Sequence, residues 1–194
     1  MKTPIKAFLL ATALVAAAPA SAHIEMFAAT LDGLSEFPSN SSPGTGSALI
    51  TFDDDLATMR VQVTFSGLSG LTTASHIHCC TADPFLKNAG VAMALSSFPA
   101  GVMAGTYDQT FSLGASASFN PAFVIANGPL LGNAVAAFQQ GIAAGRAYLN
   151  IHTSLVPSGE IRGFLVAVPE PETYAMFLAG LGVLAVAGAR RHRS

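Results

Sequence analysis

Two histidines and two cysteines stand together at residues 76–80, in the order His76-Ile77-His78-Cys79-Cys80, and a further histidine, His152, follows Asn150 and Ile151. These residue types carry transition-metal and thiol chemistry. Neutral imidazole and thiolate are ready ligands for zinc or copper. On an extended strand, residues two apart share a face. His76, His78 and Cys80 therefore point one way, and Ile77 and Cys79 the other. The same alternation sets Tyr148, Asn150 and His152 against Leu149 and Ile151. If the Ile and Leu side chains fill the core, the three histidines lie on the outer or rim side. There they either hydrogen-bond backbone carbonyls and fix strand ends, or they hold copper or zinc together with Cys80.

The chain has only 2 cysteines. Cys79 and Cys80 thus have three fates: a vicinal disulfide, metal ligation, or a bond to a second molecule. No nucleophile motif of the Gly-x-Ser-x-Gly type is present, and no residue set specifies a reaction. A non-enzymatic protein is expected.

The elements that position these residues read as strands. Met59, Val61, Val63 and Phe65 alternate with Arg60, Gln62, Thr64 and Ser66, the pattern of a half-buried strand. Gly46–Phe52 precedes it across an Asp53-Asp54-Asp55 turn, which makes a hairpin. Further strands are expected near 25–31, 74–79, 90–95, 106–113, 146–153 and 160–167, with Val156-Pro157-Ser158-Gly159 turning the last two into another hairpin. Glu160 and Arg162 then sit two apart on one strand and are expected to pair. Asn120-Pro121 reads as a helix cap followed by its first turn, and the Ala-rich run from Leu130 to Gly145 as a second helix. The fold class is mainly β: an antiparallel sandwich or small barrel, immunoglobulin-like or superoxide-dismutase-like, with one or two short inserted helices and a C-terminal transmembrane helix.

Both ends carry targeting chemistry. Lys2 and Lys6 precede an apolar run that closes on Ala20-Ser21-Ala22, which predicts a secretory signal peptide over 1–22, cut after Ala22. At the other end, Tyr174 to Ala189 is uncharged and would span roughly 24 Å as a helix, against a bilayer core of about 30 Å. Arg190, Arg191, His192 and Arg193 follow, and such a basic cluster stays in the cytoplasm. The domain between, residues 23–167, carries nine acidic and four Lys or Arg side chains, so its net charge is about −5 (9 minus 4), and nucleic acid is excluded as a partner.

The order Pro169-Glu170-Pro171, apolar helix 174–189, Arg190-Arg191 resembles the PEP-CTERM sorting signal of Gram-negative bacteria, here over 168–194. The resemblance implies cleavage by an exosortase-like sorting enzyme. It also implies partnership with the export machinery, a transient stay in the inner membrane through the tail helix, and delivery to the outer envelope or extracellular matrix, near exopolysaccharide. Three further segments together resemble the CHRD domain: Leu31–Asp53, Val63–His78 with its His-Ile-His, and Gly145–Leu165 with Asn-Ile-His-Thr and Gly-Glu-Ile-Arg-Gly. That family implies a binding or structural module without an assigned catalytic activity, and it gives the cysteines no role. A sandwich bearing His-x-His on one strand and a histidine on another is similar in architecture to copper/zinc superoxide dismutase, but three histidines besides His23 are too few for that enzyme.

Overall fold

The structure is a computed structural model that describes residues 24–128, 130–169 and 180–182. Nine strands form one antiparallel sheet: β1 (Ile24–Asp32), β2 (Thr45–Asp53), β3 (Thr58–Ser66), β4 (Thr72–Cys79), β5 (Val91–Ala94), β6 (Gly105–Ser112), β7 (Ala147–Thr153), β8 (Ile161–Phe164) and β9 (Val166–Ala167). Their order is β5-β4-β7-β8-β1-β2-β3-β6, and β9 pairs with β1. The sheet curls into a half-barrel.

Alternation explains which face turns inward. On β3, Met59, Val61, Val63 and Phe65 are buried while Arg60 and Thr64 stand in solvent. Register with β2 places Ile50 opposite Val61 and Phe52 opposite Met59, so the two strands present one continuous apolar face. Each fully buried side chain of this size is worth about 1.5–3 kcal/mol.

Two helices fill the concave side. Helix α1 (Pro121–Ala126) starts as its sequence demands: Asn120 Oδ1 accepts the Ala122 N–H at 2.9 Å, and Pro121 occupies the first turn, where no N–H is needed. Helix α2 (Leu131–Ala143) buries Ala134, Phe138, Gly141 and Ile142. The Phe138 ring meets Phe52, Phe119 and Phe123 edge-on at 5.6–6.3 Å. A second packed sheet is therefore absent among the described residues. The single curled sheet is the barrel-like form of the expected fold, and α2 packs against β4, β7 and β9.

The signal cleavage residues Ala20 and Ala22, the motif residues Glu170 and Pro171, and Arg190 and Arg191 lie outside the described residues. So does the tail segment 174–189, apart from 180–182, which are helical. Among the described residues no helix is long and apolar enough to cross a membrane.

Candidate metal centre

Strands β4 and β7 run antiparallel with His76 opposite Asn150, His78 opposite Tyr148 and Ala74 opposite His152. The period of two sends Ile77, Cys79, Leu149 and Ile151 into the apolar core. The three histidines, Tyr148 and Asn150 go to the other face. One ring nitrogen from each of His76, His78 and His152 lies within 4.8 Å of those of the others. The closest approach is His76 Nδ1 to His152 Nε2, 3.1 Å.

Backbone carbonyls orient two of the rings. His78 Nδ1 lies 2.8 Å from Ala89 O, and His152 Nδ1 lies 2.9 Å from Pro157 O. A carbonyl oxygen only accepts, so each Nδ1 carries the proton and each Nε2 keeps its lone pair. The His152 Nε2 lone pair faces His76. His78 Nε2 is buried and has no hydrogen-bond partner in the protein. A ring held by a carbonyl through one nitrogen, with the other free to ligate, is the outer-shell arrangement of histidine metal ligands.

Electrostatics keep the His76 and His78 rings neutral. Burial, followed by the neighbouring His152 and His78, pushes His76 down to about 4. Burial also lowers His78, although the Ala89 carbonyl and the Asn150 amide oppose the shift. At pH 7 these imidazoles need not lose a proton to bind a cation.

The face that carries the histidines is covered at its Tyr148 and Asn150 positions, while His76 and His152 stay half-buried. Loops 33–40 and 84–90 fold across it, leaving Tyr148 and Asn150 each 2% exposed. Arg162 on β8 ties the loops down: Nε donates to Ser35 O, and one terminal nitrogen donates to Lys87 O at 3.1 Å and Asn88 Oδ1 at 2.7 Å. Its guanidinium lies 4.6 Å from the centre of the Tyr148 ring, which in turn stacks on His78 at 4.8 Å. Glu36 is buried beside Arg162, with 3.9 Å between Oε2 and Nε. Burial raises its carboxyl to about 7, although Arg162 and the Phe37 N–H pull the other way.

The expected Glu160–Arg162 pair does not form. Arg162 faces Glu36, while Glu160 points to the loops on its other side. It accepts from Ser42 Oγ at 2.6 Å, Thr153 Oγ1 at 2.6 Å, Ser69 N at 2.5 Å and Gly70 N at 3.1 Å. Burial acts to raise its carboxyl, but these four hydrogen bonds outweigh it and hold the group below the usual carboxylate range.

Cys80, expected with the histidines, is not brought to them. Its sulfur is bonded to that of Cys79 across a cis peptide and lies 3.6 Å from Ala137 O on α2. Gly141 is where the helix passes closest: a Cβ there would collide with both sulfurs. Tyr148, Asn150, Glu36 and Arg162 join the site without having been singled out for it. Asn150 could have been found from its place two residues before His152 on one strand face. Glu36 could not, because a loop carries it there.

A curled antiparallel half-barrel with a polar, histidine-bearing layer partly under two loops defines the class as a small, mainly β domain. The CHRD domain matches residues 27–165, and the chain belongs to that family. The PEP-CTERM protein-sorting motif matches residues 167–191. That motif marks an exported protein of Gram-negative bacteria, carried through the membrane to the cell surface and processed by an exosortase-like enzyme. No curated protein and no solved structure matches the chain.

Proposed function

We propose that this exported CHRD module is a non-enzymatic surface component that holds one transition-metal ion, zinc or copper, between His76, His78 and His152. A single observation supports this above all. Three imidazole nitrogens converge within 4.8 Å while the far nitrogens of two rings are fixed by backbone carbonyls. Hydrogen bonding alone would serve to fix strand ends, but it does not account for a buried His78 Nε2 whose lone pair meets no donor. Zinc and copper are the metals to which borderline nitrogen donors are suited.

The test is metal content. The protein is exported to a periplasm and purified without an affinity tag or chelator. About one zinc or copper per chain, lost in His76→Ala and in His152→Ala, supports the reading. Absence of metal, together with no change in melting temperature on adding either ion, overturns it.

A further inference from the structure

Three side-chain atoms among the described residues are buried without a hydrogen-bond partner: Glu36 Oε1, His78 Nε2 and Asn150 Oδ1. All three belong to the layer just described, and two of them face the imidazole cluster. Asn150 is directly opposite His76 in the β4–β7 register, and His152 is its neighbour two residues on along the same face. A Cβ at Gly159 would lie 2.9 Å from Asn150 Nδ2 and 2.5 Å from Glu36 Oε1, which puts the amide nitrogen on the Glu36 side. Oδ1, buried and without a donor, is thereby left on the side of His76 and His78. An acceptor oxygen and an acceptor nitrogen, both buried and both unsatisfied, repel each other until a donor or a cation stands between them, and a cation serves both at once.

We infer that Asn150 Oδ1 is the fourth ligand of the metal centre, so that His76, His78, His152 and Asn150 form a closed four-coordinate site of three nitrogens and one oxygen. This inference rests on the metal-binding reading above. Its consequence is functional. A closed first shell is the signature of a site that holds its metal, whereas a catalytic site keeps one position for water or substrate.

Cobalt(II) substituted into the wild-type protein reports coordination through its visible spectrum, and azide probes for an open position. The wild-type spectrum is expected to be that of a four-coordinate ion and to ignore azide. In Asn150→Ala, checked for folding by circular dichroism, cobalt and zinc should bind at least tenfold more weakly, and azide should change the spectrum. Asn150→Asp, which keeps an oxygen, should restore tight binding. If Asn150→Ala fails to fold, the azide responses of the wild type and of Asn150→Asp decide instead. A wild-type spectrum that shifts with azide, or an Asn150→Ala affinity within twofold of wild type, overturns the fourth ligand while leaving the three-histidine site standing. A wild-type protein that takes up neither cobalt nor zinc nor copper overturns both.

Discussion

His76 and His152 meet with 3.1 Å between Nδ1 and Nε2, although 76 residues separate them in the chain. His152 Nε2 carries a lone pair, so the contact holds either one shared proton or one shared cation. Strand pairing forces this approach, because the two rings stand on adjacent strands one diagonal apart. Desolvation and the neighbouring rings keep His76 neutral, so without metal the shared proton is that of a neutral imidazole.

The first expectation concerns that contact. Zinc at a hundredfold excess over its Kd should stabilise the wild-type protein by about 2.7 kcal/mol by mass action. In His76→Ala and His152→Ala the gain should fall below about 0.5 kcal/mol. Without metal, both variants should lose no more than about 1 kcal/mol, since neither ring is fully buried. Urea unfolding with and without zinc separates the two effects.

Glu36 makes the fold sensitive to alkali. Its carboxyl moves from 4.5 to about 7 in the folded protein, so the native state holds this proton more tightly than the unfolded chain. The stability it contributes is fully present below pH 4.5 and is lost as pH rises through 7. Glu36→Gln cannot ionise. It should match wild type near pH 4 and exceed it by about 1–3 kcal/mol at pH 8. Melting curves across that range check the crossing, and a variant less stable at pH 8 would show that the ion pair with Arg162 outweighs burial.

Gly141→Ala reverses a familiar sign. Alanine in place of glycine inside a helix normally gains about 0.8–1 kcal/mol. Here the new methyl would collide with the sulfurs of both Cys79 and Cys80, which are bonded to each other and cannot swing apart. A loss of about 1–3 kcal/mol is expected from overpacking. Chemical denaturation of the oxidised protein measures it.

Glu160→Ala should be among the most damaging substitutions in the domain. Four donors from three segments converge on one carboxylate with 0% exposure. Removing it leaves the Ser69 and Gly70 N–H groups without their acceptor, a cost on the order of 3 kcal/mol or more. Because hydrogen bonds hold the folded carboxyl low, its contribution is present above the ordinary carboxylate range and fades as pH falls through it. A wild-type protein that loses stability towards acid while Glu160→Gln does so less steeply is the expected pattern.

Much of the fold was legible in the chain because local rules decide it. The β2–β3 hairpin and its inward face follow from a period-two pattern bracketed by a turn. Helix α1 follows from Asn120-Pro121, and the β7–β8 hairpin from Val156–Gly159. The site was half legible. Alternation brought His76, His78 and His152 to one face of their strands, yet the same logic wrongly added Cys80 and could not foresee the cover over Tyr148 and Asn150. It also paired Glu160 with Arg162, because two residues apart on a strand looked sufficient. Burial by loops cannot be read from strand periodicity, since the covering residues are remote in sequence.

By itself, then, the amino-acid order determined the strands, the short helices, the side of each strand that faces the core, and the sorting motif at the C-terminal end, for these rest on neighbours a few residues away. Only the tertiary structure decided that β4 and β7 are adjacent and that the sheet curls. It alone brought loops 33–40 and 84–90 over Tyr148 and Asn150 to make a buried polar layer. Those outcomes depend on contacts between segments far apart in the chain, such as His76 with His152 and Ser35 with Arg162, and on which buried acceptors find donors once the chain has closed.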